Sequence, residues 1–467
     1  MTLLITILAF VFTLGAAVII HEFGHFIVAK LLGIRVEAFS VGFGPRIFGW
    51  RWGTTDYRLS AIPLGGFVKL GGDESNAPIE GESVSDIPLR ERFDLRPRRQ
   101  KFMVIIAGPV MNILTALMIP FVAALLYGVP ATVSPVVSRI APNGAADIAK
   151  LESGDRIISF NNQDNPTWSG INDDALLRPG QTLPLVVERN GQRIPLEIKP
   201  TPRNERGETV GDLGFQPDSA VTIGSVEANS PAAEAGLRPD DRVVAINGEP
   251  MLRDEQVVLY IQDHKAEPLT LMVERGGERL EVETRARQMS DGKERLGIRF
   301  GGGPLERVGL VGAASYAVEH NLRFIRLTAV ALGQIFQGQR SARDSLAGPI
   351  GIGRAAGTAA NEGGWEGVFW FLGFLSLNLG VFNLLPIPVL DGGAIFLLFI
   401  EAMLGVVGIT LSMTIRERIQ QLGFVTLLLL MGFVIFNDLA KEASLWRNSS
   451  KDRPAATASP SPQPQQR

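Results

Sequence analysis

Four windows along the chain are almost wholly apolar, and the stretches between them alternate or cluster their polar residues. Residues 2–28 are apolar apart from one group of ionisable side chains, His21, Glu22 and His25. Residues 102–127 carry no charge, residues 368–400 carry only Asp391, and the shorter run 422–436 carries none. A helix needs about 20 apolar residues to cross the hydrocarbon layer of a membrane. Each window therefore predicts a span, the last one borrowing length from its flanks. The first window has no basic start and runs unbroken into "IVAKLLG", so it reads as a span and not as a cleaved signal peptide.

Between the first two windows lie many basic residues, among them Lys30, Arg35, Arg46, Arg51, Arg58 and Lys69, and Arg416 and Arg418 precede the last. Both segments read as cytoplasmic by the positive-inside rule, which puts the N-terminus, the middle region and the tail outside. Lys441, Arg447, Lys451 and Arg453 in the tail pull the other way.

Residues 129–303 are polar, with strand-like alternation and many Gly, Asn, Asp and Pro turns. They hold an internal repeat of about 85 residues, a period that suits two small domains. "APNGAADIAKLESGDRIISFNNQ" at 141–163 matches "EANSPAAEAGLRPDDRVVAINGE" at 227–249, and "GDLGF" and "RLGIRF" close the two copies. The second copy resembles PDZ domains of the circularly permuted bacterial protease type. The first is a more divergent match that lacks the Ala-Gly-Leu step. PDZ domains add an extended peptide to a sheet edge, and a tandem of them serves equally as a steric filter. Residues 304–367 show helical spacing and suit a juxtamembrane segment. Residues 441–467, rich in Pro, Ser and Gln from Ser449 on, predict a disordered tail.

Composition changes little. The net charge of −3 gives no basic footprint for nucleic acid, and the absence of cysteine rules out disulfides and thiolate metal ligands. The chemistry lies in the windows. His21-Glu22-Phe23-Gly24-His25 fits H-E-x-x-H, whose histidines share one helical face and can hold one ion. Glu22 then stands beside that ion, placed to take a proton from an attacking water and pass it to a leaving amine. Each ionisable group in hydrocarbon costs about 2.5–3.5 kcal/mol on insertion scales. Three in one turn need a common reason, and a metal supplies it. Zinc suits imidazole and carboxylate and needs a third protein ligand. Asp391 is the candidate: Pro386 and Pro388 break the helix before it and Gly392-Gly393 follow. Glu401 is the weaker alternative, nearer the end of the span. The ligands alone also suit a metal-conducting membrane protein, and the repeats alone a scaffold for exported proteins. Neither accounts for Glu22 and the repeats together.

"HEFGH", "NLLPIPVLDGG" and the PDZ-like tandem between the second and third windows together resemble the site-2 protease family, peptidase family M50, from Met1 to about Ala440. The resemblance implies an intramembrane zinc metalloprotease. His21, His25 and Asp391 fall on its Zn2+ ligand positions and Glu22 on its catalytic position. Asn378 and Asn383 match asparagines before its LDG motif; Asn383 matches one that holds substrate backbone open, while Asn378 equally suits a helix–helix hydrogen bond. Residues 39–49 and 56–72 resemble its membrane-associated β-region, and their alternation and Pro-Leu-Gly-Gly turn suit a hairpin. An exposed edge there, at Gly65 and Gly66, can pair with unwound substrate. "GPIGIGRAAG" at 348–357 also recurs in the family.

The implied fold is a multi-pass α-helical membrane protein of about four spans, with a membrane-associated β-hairpin region and two PDZ-like α+β domains. Residues 1–128 hold spans one and two, 129–216 and 217–303 the PDZ-like domains, 304–367 the juxtamembrane helical segment, 368–440 spans three and four, and 441–467 the tail. The implied substrates are single-span membrane proteins of anti-sigma-factor type, with remnant signal peptides a further class, cut first outside by a site-1 type protease. The implied location is a bacterial inner membrane, with the PDZ-like domains periplasmic and the active site near the cytoplasmic side.

Overall fold

A computed structural model describes residues 2–73, 87–131, 133–205, 208–217, 221–251, 254–264, 267–288, 294–301, 305–339, 341, 347–406 and 413–451. The chain forms two compact units: Met1–Val122, Ala317–Ile325 and Arg340–Arg467 make the first, and Ala123–Tyr316 with Arg326–Gln339 make the second.

In the first unit the apolar N-terminal window folds as helix α1 (Thr2–Leu31). Strands β1 (Val36–Trp52) and β2 (Thr55–Leu70) follow as one long antiparallel hairpin. Its register shifts repeatedly, so the hairpin curls. The segment Ala38–Val41 has Gly66–Lys69 on one side and Asp56–Leu59 on the other. The end of β2 is thus an edge of the sheet among the described residues. Phe26 on α1 packs edge-on against Phe39 and Tyr57, and Ala29, Val36, Leu70 and Val104 share one buried cluster that joins α1, the hairpin and the next helix.

That helix, α2 (Arg98–Tyr127), carries Pro109 and Pro120 in its interior. It approaches α1 very closely. A Cβ on Gly24 would lie 2.3 Å from the Ala107 carbonyl oxygen, and one on Gly108 would lie 2.3 Å from His25 Nε2. Only hydrogen fits at either position, so the two glycines set the distance between the helices where the histidines sit.

The second unit holds the repeats. After β3 (Val129–Pro130), the first comprises β4 (Val137–Ile140), helix α3 (Ala145–Ile148), β5 (Arg156–Phe160), β6 (Gln163–Asp164), α4 (Trp168–Leu177), β7 (Leu183–Arg189), β8 (Gln192–Ile198), β9 (Thr201–Glu205), β10 (Glu208–Asp212) and β11 (Phe215–Pro217). The second repeats the order with β12 (Val221–Val226), α5 (Pro231–Glu234), β13 (Arg242–Ile246), β14 (Glu249–Pro250), α6 (Asp254–His264), β15 (Pro268–Arg275), β16 (Glu278–Arg285), β17 (Arg287–Gln288), β18 (Glu294–Arg295) and β19 (Ile298–Gly301). Strand β20 (Leu305–Glu306) pairs back to β3.

The pairing corresponds strand for strand. β6-β5-β7-β8 and β11-β4 in the first copy match β14-β13-β15-β16 and β19-β12 in the second, where β12 also bonds to β13 and joins the whole into one sheet. Each copy closes its own apolar core, around Ile157, Phe160, Ile171 and Leu185 in one and Val243, Ile246, Val257 and Leu271 in the other.

Beneath each core lies a buried aspartate. Asp155 is held by Arg189 through Nε and Nη2 at 2.7 Å each, and Asp241 by Arg275 at 2.6 and 2.7 Å. The loop before that aspartate is equally alike. Lys150 and Gly236 both take left-handed φ, 61° and 80°, and so do Gly154 and Asp240, at 97° and 69°. The missing Ala-Gly-Leu step of the first copy therefore changes the residue and leaves the backbone path intact.

The remaining helices are α7 (Leu310–Phe336), α8 (Pro349–Asn383), α9 (Asp391–Val406) and α10 (Met413–Lys451). The structure revises the expected boundaries of the third window. The helix long and apolar enough to cross a membrane runs Pro349–Asn383, beginning inside the 304–367 segment, bending at Gly364 (φ 58°) and ending before the prolines. The window 368–400 is thus two helices separated by turns at 384–390. Proline removes a donor and restricts the residue before it, which hydropathy alone cannot register. The other helices of spanning length and composition among the described residues are Leu3–Leu31, Arg98–Tyr127 and Gln421–Ala440. Helix α10 continues through Lys451, into the segment assigned to the tail; residues 452–467 lie outside the described residues. Asp438 on α10 is buried and accepts from the backbone N–H groups of Gly348, Ile350 and Gly351, capping the start of α8.

Candidate metal centre

His21 and His25 lie one turn apart on α1, so both imidazoles leave the same face. Asp391 opens α9, immediately after the turns that break the third window. Those turns include Val389 at φ 86°, a conformation that strains a β-branched residue. The break and the first helix bring three ligand atoms together. Asp391 Oδ2 lies 3.0 Å from His21 Nε2 and 3.5 Å from His25 Nε2, and the two Nε2 atoms are 3.2 Å apart.

The hydrogen bonds around this cluster bear on what it can hold. His25 Nδ1 is 2.8 Å from the Val104 carbonyl oxygen, which only accepts. The Nδ1 proton is therefore committed there, and Nε2 turns a lone pair inward. Asp391 Oδ2 is buried and has no hydrogen-bond partner among the described residues. Acceptors that converge without protons between them repel one another, and a cation removes that repulsion. The spacing suits zinc. Tetrahedral bonds of about 2.0–2.1 Å set ligand atoms about 3.3 Å apart, close to the separations found here. His21, His25 and Asp391 are also the only cluster of metal-ligating side chains among the described residues.

Glu22 projects from the same turn toward the hairpin. The backbone of Val68 on β2 lies close to its carboxylate. Gly66 lies alongside, where an added Cβ would come 3.4 Å from Glu22 Cγ and 2.7 Å from the Ser40 carbonyl oxygen. The edge of the sheet thus runs directly past the glutamate. Gly65 sits apart, at φ 115° against the Phe43 ring. Asn383, the last residue of α8, places Nδ2 3.4 Å from His21 Nε2 and belongs to the cluster. Asn378 does not. It is half-buried and donates to the Phe374 carbonyl one turn back in its own helix. Glu401 lies near the far end of α9, and the carbonyl of the same residue accepts from Arg98.

Two groups at the site escape a motif-based reading. One is the Val104 carbonyl, which no sequence pattern marks. The other is Asn112 of α2, fully buried, with its amide 3.4 Å from His21 Nδ1. The signal for it was present as an amide in a window otherwise without charge.

Residues 9–430 match peptidase family M50. The chain is similar to the regulator of sigma-E protease RseP of Salmonella typhimurium, at 31% identity over 94% of this chain and 100% of the relative. It is similar to a putative zinc metalloprotease of Vibrio cholerae at 32% identity, over 93% of this chain and 98% of the relative. RseP of Escherichia coli matches at 31% identity over 93% and 98%. Among solved structures, the PDZ domain of an SdrC-like protein from Listeria monocytogenes covers 17% of this chain and 86% of its own, at 20% identity and a TM-score of 0.17. By the match that runs through nearly all of its length, this chain belongs to peptidase family M50.

Proposed function

We propose that the protein is a zinc-dependent intramembrane endopeptidase of the bacterial inner membrane, cutting single-span membrane proteins of anti-sigma-factor type after a first cut outside. The observation that carries this is the convergence of His21 Nε2, His25 Nε2 and Asp391 Oδ2 at zinc spacing with Glu22 beside them. His21, His25 and Asp391 hold the metal. Bound there, zinc supplies a Lewis acid that activates water and balances charge on the scissile carbonyl oxygen. Glu22 takes the proton from the attacking water and delivers it to the leaving amine. The backbone of Val68 on β2 lies beside that carboxylate and helps to keep it at the cluster. Asn383 holds the substrate backbone beside the ligands. Substrate, extended, lies along the Gly66 edge of β2, because a helix hides the amide that must be attacked.

The repeat domains admit substrates already shortened outside, and remnant signal peptides fall within the same class. Positive-inside charge puts the hairpin on the cytoplasmic side and the repeats in the periplasm. The test uses purified protein in liposomes with a tagged single-span substrate trimmed on its outer side. Wild type cleaves, Glu22→Gln does not, and both hold about one zinc per chain, as a single catalytic site requires. Zinc crossing the liposome membrane without cleavage would move the reading to metal transport, and absence of bound metal would end it.

A further inference from the structure

The cluster leaves one polar atom unexplained. Asn112 is fully buried on α2, and its Oδ1 has no hydrogen-bond partner among the described residues. Its Nδ2 stands 3.4 Å from His21 Nδ1. An amide and its half-turned alternative occupy the same volume, so hydrogen-bond chemistry decides which end faces the imidazole. His21 Nε2 faces the ligand cluster, at 3.0 Å from Asp391 Oδ2 and 3.2 Å from His25 Nε2. A histidine that ligates through Nε2 keeps its proton on Nδ1. Nδ1–H donates, and only Oδ1 of the amide can accept from it.

We infer that Asn112 is a positioning residue for the metal centre: its Oδ1 accepts from His21 Nδ1–H, fixing the tautomer and ring orientation of that ligand. The two histidines are then held alike. His25 has the Val104 carbonyl behind it and His21 the Asn112 carbonyl, both supplied by α2. The closeness of α1 and α2 at Gly24 and Gly108 gains a purpose here, because a wider gap would take both acceptors out of reach. Partners of this kind orient metal-bound histidines and raise their basicity.

The inference rests on the zinc reading and is tested apart from cleavage. Zinc affinity of the purified full chain is measured against a competing chelator, with thermal unfolding of the metal-free protein as a control. Asn112→Leu removes the acceptor at similar volume and is expected to weaken zinc binding by about 10–100-fold with unfolding of the metal-free protein unchanged. Asn112→Asp supplies a carboxylate oxygen at the same place and is expected to keep wild-type affinity or better it. Asn112→Leu binding zinc as tightly as wild type would overturn the inference while leaving the zinc reading intact. Loss of cleavage with zinc affinity unchanged would do the same, moving Asn112 to the substrate. Wild type that binds no zinc would instead remove the zinc reading. If Asn112→Leu fails to fold, Asn112→Asp decides alone, and a loss of about tenfold or more contradicts the pairing.

Discussion

Three aspartates, two buried in the repeats and one half-buried in the other unit, are treated in opposite ways. In the repeats, Asp155 and Asp241 each accept from Nε and Nη2 of an arginine and from a backbone N–H as well. At the break in the third window, Asp391 keeps Oδ2 without a hydrogen-bond partner among the described residues, facing two imidazole nitrogens. Burial costs each carboxylate hydration, most for the two in the repeats. The repeats recover it with hydrogen bonds and gain a fixed loop, and the other unit turns one carboxylate oxygen toward two imidazole nitrogens. The two buried charges with full sets of partners fix a loop, and the one set against two imidazoles is arranged as a cation's ligand would be.

The sharpest way to separate the two is to alter each kind. Glu22→Gln should lower cleavage by about 10²–10⁴-fold, the usual worth of a proton-transferring side chain, without moving the unfolding of the repeats. Reconstituted cleavage and calorimetry on one preparation check this, and a shifted unfolding transition would blur the contrast. Arg275→Gln should do the reverse. Removing one partner of a buried charge pair costs about 3–5 kcal/mol, so the second repeat should melt earlier while zinc binding stays unchanged. Arg189→Gln should act in the same direction on the first. Unaltered melting would mean that the aspartates need no partner.

Acid provides a gentler version. Burial pushes the Asp155 and Asp241 carboxyls up, and the hydrogen bonds and charge of Arg189 and Arg275 outweigh it, holding both below the usual carboxylate range. A carboxyl depressed on folding stabilises above its unfolded pKa, about 3.9, and that contribution drains away as pH falls below this value. Thermal unfolding of the repeats should therefore lose stability below about pH 4, and Arg275→Gln should flatten the part due to Asp241.

The smallest effects concern strain. Lys150→Gly should stabilise the first repeat by about 1 kcal/mol, since a left-handed backbone costs a side chain roughly that much. Val389→Gly relieves similar strain beside Asp391. It should loosen the turn that presents this ligand and weaken zinc binding, measured by chelator competition. A gain in affinity would show that the strain does not serve the site.

Much of this was legible beforehand. H-E-x-x-H on a helix dictates one face for two imidazoles, and Pro386 and Pro388 announce the break that frees Asp391. Asn378 and Asn383 differ by five residues, about 140° around a helix, so both could not face the ligands. What stayed hidden depends on tertiary contact. Nothing local reveals that Gly24 and Gly108 meet across two helices, that Val104 offers its carbonyl to His25, or that Asn112 stands behind His21. The start of the third spanning helix at Pro349 was obscured for a different reason, because residues 349–367 carry Arg354, Glu362 and Glu366 and lie outside the apolar run.

The loop ahead of Asp155 and Asp241 also carries a record of descent. Each copy has two left-handed positions and one glycine to fill them, but at opposite ends: Gly154 in the first copy and Gly236 in the second, with Lys150 and Asp240 at the others. An alignment scores both columns as mismatches, and the backbone scores both as identities. If one ancestral segment gave rise to both copies, each has kept a different half of its punctuation, and shape has outlasted spelling.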